Sequence, residues 1–154
     1  MRRSALGFTL IELLVSVAII GLLSAVGLSS YVQFNRRQIL VSAVRTLLND
    51  LRLAQSKAES GERPSECVGD LSGYQVTIQT SGYKIEANCS SWVKIKEVNF
   101  PAVVSKKSGF NWVKFKTLRG GVEVNPSGQY SLVLSSFGTD KTISIGAGGE
   151  ISSQ

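Results

Sequence analysis

The side chains that most enzymes use for covalent and acid–base chemistry are sparse in this chain. The sequence contains no histidine and only 2 cysteines. A Ser-His-Asp or Cys-His nucleophile system is therefore excluded, and two cysteines alone cannot close a zinc site. The 11 carboxylates are spaced without any evident catalytic pair, and no phosphate-binding glycine motif follows a predicted strand. We predict that the protein is not an enzyme and has no catalytic residue, metal site or cofactor.

One carboxylate stands out because of its surroundings. Glu12 is the only charged residue between Ser4 and Asn35, and the stretch from Leu13 to Leu28 is almost entirely aliphatic or small. A charge at the centre of a membrane helix costs about 2.5–3.5 kcal/mol, and less near the helix start. An ionisable residue in such a span is by default functional and needs a partner. The alternative is that Glu12 lies at the membrane edge and reaches lipid headgroups.

The apolar pattern predicts the helix that positions Glu12. Residues 8–34 are apolar and, as a helix, would be about 40 Å long, enough to cross a hydrocarbon core of roughly 30 Å. Residues 35–60 are polar with an apolar stripe at helical spacing, and Asp50 falls outside that stripe. No proline interrupts the two segments, so we expect one helix from about Phe8 to Ser60, ended by Gly61. The stripe consists of Leu40, Val44, Leu47, Leu51, Ala54 and Ala58.

Residues 61–154 alternate apolar and polar side chains between turn signals, which is typical of β-strands. Tyr74–Ile78 and Tyr83–Ala87 flank a Ser81-Gly82 turn and predict a β-hairpin. We predict an α+β fold, in which the amphipathic second half of a long N-terminal helix packs on a C-terminal antiparallel β-sheet head with one packed side. The further predicted strands are Val93–Lys96, Val113–Lys116, Gly121–Val124, Tyr130–Leu134, Thr142–Ile145 and Ile151.

The amino-terminal segment also matches a known pattern. The basic leader MRRSALG is followed by the residues F-T-L-I-E-L-L-V-S-V-A-I-I-G, up to Gly21. This resembles the processing site of type IV prepilins and type II secretion pseudopilins: a leader ending in Gly, then Phe, a Glu at the fifth mature position and a long apolar run. The resemblance implies that a prepilin peptidase cuts between Gly7 and Phe8 and methylates the new amine of Phe8. It also implies that Glu12 pairs with the Phe8 amine of a neighbouring subunit.

The same resemblance implies an organisation and a location. Residues 1–7 are the cleaved leader, 8–34 the transmembrane and later filament-core half-helix, 35–60 the amphipathic half-helix and 61–154 the head. The protein would begin as a single-pass protein among the lipids of the bacterial cytoplasmic membrane and then join an extracytoplasmic filament in the periplasm or at the cell surface. The implied partners are other pilin or pseudopilin subunits, the prepilin peptidase and the inner-membrane assembly machinery.

Two other interpretations of the apolar segment remain open. One is a secretory signal peptide with Ala25-Val26-Gly27 as its cleavage site, and the other is a plain single-span anchor. An intact mass separates all three, because cleavage after Gly7, after Gly27 or not at all gives three different products.

The head resembles the heads of H-type pseudopilins and FimT-like minor pilins. The matching stretches are LNDLRLAQSKAESGERPSEC and VEVNPSGQYSLVLSSFGTDKTISIGAGGEI. The chain has Ser29 where major pilins commonly have proline, which points to a minor subunit or a pseudopilin. It has Gly149-Glu150 where this family often has Gly-Arg.

The two cysteines, Cys67 and Cys89, lie in the part of the chain expected outside the cytoplasm. A single disulfide between them is the natural interpretation, and chain-entropy arguments give it about 3 kcal/mol. Two free, buried thiols are the alternative.

Lysines concentrate in the middle of the head. Lys94, Lys96, Lys114 and Lys116 alternate with apolar residues, and Trp112 shares the parity of the last two. A basic strand face with an aromatic residue is a candidate DNA contact, and the FimT-like resemblance implies DNA uptake as the alternative function. A solvated outer face, protected by lysine from edge pairing, is the favoured interpretation.

Overall fold

The computed structural model describes residues 8–118 and 121–154, without the side chains of residues 25–30. The leader, including Gly7, therefore lies outside the described residues. The chain divides into two compact units, Met1–Arg36 and Arg37–Gln154. A long N-terminal helix followed by an antiparallel β-sheet head confirms the predicted α+β class. The elements are α1 Leu10–Ser60, β1 Gly73–Gln79, β2 Gly82–Asn88, β3 Trp92–Asn99, β4 Ser105–Gly109, β5 Trp112–Lys116, β6 Val122–Asn125, β7 Ser131–Ser136, β8 Thr139–Ile145 and β9 Ile151–Ser153.

The first unit carries the amino-terminal part of α1. Its described large apolar side chains are all exposed, from 87% at Phe8 to 45% at Val32. Within the described residues, no helix combines the length and the apolarity needed to cross a membrane.

Helix α1 ends where the glycine signal predicts. Gly61 adopts a φ of 64°, a left-handed conformation that glycine reaches without a Cβ penalty. Its N–H donates to the Ala58 carbonyl at 3.2 Å, and the Glu62 N–H donates to the Lys57 carbonyl at 3.1 Å. These two bonds satisfy carbonyls that the helix end would otherwise leave open.

In the second unit, α1 supplies one wall of the core. All six residues of the predicted stripe are buried, which confirms that part of the sequence interpretation. The buried face is wider than these six residues. Leu48 widens it, as the spacing of the apolar residues predicts, and Ala43 and Asp50, with Asp50 only 5% exposed, extend it further. The prediction that Asp50 lies outside the buried stripe is wrong, since the carboxylate has polar partners on the sheet.

The strands form two antiparallel sheets rather than one. Sheet A has the order β3-β2-β1-β5-β6, and sheet B has the order β4-β7-β8-β9. The predicted hairpin is present as β1 and β2, with Gln79 opposite Gly82. Apolar residues of both sheets join the helix stripe in one core, among them Val76 and Phe115 of sheet A and Leu132 and Ile143 of sheet B.

Strand β4 was not predicted, because its sequence SKKSG has no apolar alternation. It pairs at the edge of sheet B with β7, and lysines are tolerated there because one edge faces solvent. Alternation predicts where strands lie but not which strands pair, so the division into two sheets is not visible in the sequence.

A register shift interrupts β3. Lys94 lies opposite Glu86 and Lys96 lies opposite Ile85, so Ile95 is the extra residue. Such a bulge reverses the faces of the residues that follow it. Lys94 and Lys96 therefore do not share a face, although they share parity in the sequence.

Candidate functional site

The first turn of α1 holds Glu12. Its Oε2 atom accepts hydrogen bonds from the Thr9 N–H at 3.2 Å and from the Thr9 hydroxyl at 3.0 Å. The Glu12 N–H donates in return to Thr9 Oγ1 at 3.3 Å. This reciprocal pattern is a capping box, with Thr9 at the N-cap and Glu12 three residues later. Glu12 thus places a negative charge at the positive end of the helix dipole.

Thr9 was not predicted from the sequence to belong to this site. The signal was present, since a Thr followed three positions later by Glu before an apolar run is the pattern of a capping box. Glu12 therefore has a partner within its own chain. Both bonds use Oε2, and no hydrogen bond from a described residue reaches Oε1, so the carboxylate retains capacity for a further donor.

The surroundings of Glu12 are apolar and exposed. Leu10, Ile11 and Leu13 are 80%, 69% and 61% exposed, and Phe8 is 87% exposed. A contact that removes all of these side chains from water also removes Glu12 from water. A carboxylate buried in that way is stable only beside a positive charge or strong donors.

The structure contains the predicted disulfide between Cys67 and Cys89, whose Cα atoms are 5.7 Å apart. It connects the loop that follows α1 to the residue directly after β2. The second unit is thus closed covalently at the end where its helix stops.

A buried polar network joins α1 to sheet A. The Tyr83 hydroxyl donates to Asp50 at 2.5 Å, and Lys96 Nζ lies 2.8 Å from the same carboxylate. Burial, followed by the hydrogen bond to Asp50, raises the pKa of Tyr83 well above its usual range. The β3 bulge is what turns Lys96 toward Asp50, so a lysine predicted to be a DNA contact serves a helix–sheet contact.

The other candidate DNA contacts lie on the outer face of sheet A. Trp112, Lys114 and Lys116 alternate with the buried Val113 and Phe115 of β5. The register across the sheet places one residue of each strand in a continuous row that carries two positive charges, two negative charges and one neutral residue. The row is Lys94, Glu86, Gln75, Lys114 and Glu123.

Ion pairs neutralise most of this face. Lys116 Nζ lies 2.7 Å from Glu123, and Lys94 Nζ lies 3.2 Å from Glu97. The hydrogen bond from Lys116 is the main cause that lowers the pKa of Glu123. Lys114 donates to Ser72 at 3.1 Å. The described lysines thus form a charge-balanced face rather than an uninterrupted basic patch.

A shallow cavity of about 380 Å³ lies beside the end of α1, where Gln55 Nε2 donates to Glu59 at 2.9 Å. Phe115, Lys116 and Val122 complete most of its wall. Its described lining includes no serine, cysteine or histidine. Across the described residues, no group of three or more His, Cys, Asp or Glu side chains is arranged to hold a metal ion.

The comparison with protein families bears on the amino-terminal segment. Residues 2–28 match the family described as the prokaryotic N-terminal methylation motif. The chain carries the methylation motif typical of type IV prepilin-like proteins. The match includes Gly7, Phe8, Thr9 and Glu12, so the capping box lies within the methylation motif. No curated protein and no solved structure matches the chain. The resemblance of the head to H-type pseudopilins and FimT-like minor pilins stays a prediction.

Proposed function

We propose that the protein is a structural, non-enzymatic minor subunit of a type IV pilus or a type II secretion pseudopilus. The methylation motif at residues 2–28 is the observation that carries this proposal. The long helix followed by a β-sheet head supports it, because such a chain can assemble through its helix while the head remains folded.

Processing is the first step of the proposed function. A prepilin peptidase cuts between Gly7 and Phe8, removes Arg2 and Arg3 with the leader, and methylates the new amine of Phe8. Gly7 has no side chain to obstruct access to the backbone. The exposure of Phe8 at 87% is consistent with an accessible new terminus.

Assembly is the second step. The described apolar side chains of residues 8–34 are exposed in the isolated chain, and burying them against neighbouring helices is the favourable change that drives assembly. Glu12 is buried with them, and the cationic amine of Phe8 from an adjacent subunit neutralises it. Before assembly, the same segment lies in the cytoplasmic membrane, where the inner-membrane machinery extracts it. The assembled filament is extracytoplasmic.

Two substitutions of Glu12 separate its charge from its capping role. Glu12→Gln keeps an acceptor at the third helical position, where Gln also completes a capping box, but removes the charge. We expect Glu12→Gln and Glu12→Ala both to abolish incorporation into filaments, measured as the sheared or surface-recovered fraction. Thr9→Ala is the matched control, because it removes the cap and keeps the charge. Normal incorporation of Glu12→Gln would contradict the charge-pairing step.

DNA binding by the head is the alternative function. It is favoured by the shared outer position of Trp112, Lys114 and Lys116, and weakened by the glutamates of the same face. The test is the salt dependence of DNA affinity for the full chain and for the Lys114→Ala, Lys116→Ala double variant. An unchanged affinity and salt slope would remove the DNA hypothesis.

A further inference from the structure

One face of α1 in the second unit carries arginines that the chain itself does not neutralise within the described residues. Arg45, Asn49, Arg52 and Leu53 are exposed and succeed one another at helical spacing, so they form one stripe, here called the arginine face. Arg45 and Arg52 are separated by two helical turns, about 10 Å along the axis. Leu53, 41% exposed, lies beside them as an apolar contact point.

No acidic residue balances this face in the described part of the chain. Neither Arg45 nor Arg52 takes part in an ion pair there. Asp50 belongs to the same helix but is buried on the sheet side, where Tyr83 and Lys96 bind it. The positions three and four residues away are Val41, Ser42, Leu48, Asn49, Gln55 and Ser56, and none is acidic.

The loop after α1 has the complementary composition. Glu66, Val68 and Asp70 are exposed, with Val68 70% exposed, and they form what is here called the acidic loop. Neither Glu66 nor Asp70 takes part in an ion pair with any residue of 8–118 or 121–154. The one cation between α1 and Asp70 is Arg63, which donates to the Cys67 carbonyl at 3.0 Å.

The acidic loop is also held in place. The Cys67–Cys89 disulfide ties it to the end of β2, and the Ser90 N–H donates to the Val68 carbonyl at 3.1 Å. Gly69 has a φ of 80°, and a Cβ there would lie 2.1 Å from Ser90 Oγ, so the backbone packs closely against the β2–β3 connection. A loop fixed in this way loses little conformational entropy on binding.

We propose that the arginine face of one copy binds the acidic loop of a second copy. Two guanidinium groups beside an exposed leucine would meet two carboxylates beside an exposed valine, which gives complementary charge and a shared apolar contact. Because the two surfaces differ, they can meet head to tail, and a head-to-tail contact leaves a free surface on each copy, as an open filament requires. The inference extends the proposed filament function and rests on it.

The test uses the full chain in detergent with the substitution Arg52→Lys, which keeps the charge and supplies an amine. Copies labelled with ¹⁵N and unlabelled copies are mixed, and a carbodiimide joins amines to carboxylates that touch, with loss of water. Peptide mass spectrometry should find mixed-isotope links from position 52 to Glu66 or Asp70. The native exposed lysines Lys94 and Lys107 are internal controls and should give few links to this loop.

Charge reversal completes the test. Arg45→Glu should lower the yield of that mixed-isotope link about tenfold, whereas the matched change Lys107→Glu should leave it unchanged. A retained Cys67–Cys89 disulfide reports that the variants are folded. The proposal would be overturned if no mixed-isotope link to the acidic loop formed, or if Arg45→Glu left the yield of that link unchanged. Incorporation of the wild-type chain into filaments is measured separately, so failure of the filament function is distinguishable from failure of this contact.

Discussion

At the scale of single residues, two carboxylates illustrate how a costly charge is accommodated. Glu12 lies among exposed apolar side chains and is held by Thr9 at the start of α1. Asp50 is buried and is held by Tyr83 and Lys96. Each carboxylate accepts hydrogen bonds from donors in its own chain. The two carboxylates differ in whether assembly would change their burial. Asp50 is already shielded by its own unit, whereas Glu12 becomes buried only together with the surface around it.

Because of Tyr83, we expect the free energy of unfolding of the second unit to fall as the pH rises through the alkaline range. Its folded-state pKa is raised by burial and by Asp50, whereas the unfolded pKa is about 10. The stabilisation from a raised pKa is complete below the unfolded value and is lost as pH rises through the folded value. Tyr83→Phe should therefore flatten the fall in unfolding free energy above pH ~10, measured by urea denaturation at several pH values. A variant that keeps the wild-type slope would contradict this role of Tyr83.

The same substitution has a cost at neutral pH. Loss of the Tyr83 hydroxyl leaves the buried carboxylate of Asp50 with one partner fewer, which costs about 1–3 kcal/mol. Asp50→Asn should lower the free energy of unfolding less, because the amide oxygen of the new side chain still accepts the hydrogen bond from the Tyr83 hydroxyl. If Tyr83→Phe has the same free energy of unfolding as the wild type, the network makes no net contribution to stability, and the prediction is wrong.

The residues that could best be located from the sequence are those with a local pattern. Gly7, Phe8 and Glu12 follow from the leader and the apolar run alone, and the family match at residues 2–28 includes all three. The Tyr83–Asp50–Lys96 network joins three elements, and its geometry depends on a bulge that alternation does not predict. The capping role of Thr9 was accessible from its spacing to Glu12, although it was not predicted.

At the scale of elements, the end of α1 is set by one glycine. Gly61 has a φ of 64°, and no described atom beyond its chain neighbours lies within 4 Å of the position that a Cβ would take, so an alanine there suffers backbone strain alone. Gly61→Ala should lower the unfolding free energy of the second unit by about 1 kcal/mol. Gly21→Ala is the matched control, since Gly21 is helical and in open space and should leave that unfolding free energy unchanged. Equal effects of the two changes would contradict the assigned C-cap.

The disulfide joins the loop after α1 to the end of β2. Replacing Cys67 and Cys89 together by serine should lower the unfolding free energy by about 3 kcal/mol, because the unfolded chain regains the freedom of the closed loop. Urea denaturation of the oxidised protein, the reduced protein and the double variant measures this. A reduced protein as stable as the oxidised one would show that the bond adds no net stability.

The elements with a strong apolar period were predictable from sequence, and the others were not. The stripe from Leu40 to Ala58 is buried as its spacing indicates, and the β1–β2 hairpin follows from its turn. Strand β4 has no apolar period, because its pairing with β7 comes from backbone hydrogen bonds at a sheet edge. The bulge at Ile95 also leaves no local signal, although it decides which lysine meets Asp50.

At the scale of the whole molecule, the two units have different means of burying apolar surface. Residues 37–154 bury theirs within one core formed by α1 and both sheets. The described apolar side chains of the first unit remain exposed, and only another molecule or a lipid phase can remove them from water. This contrast is the physical argument for the proposed assembly through the amino-terminal helix.

The most direct test is the mass and N-terminal fragmentation of the full-length protein after expression in a host with a prepilin peptidase. The account predicts that the recovered chain begins at Phe8 and that its amine carries one methyl group. A chain that keeps residues 1–7, or one cleaved after Gly27, would contradict the proposed processing and the subunit function built on it.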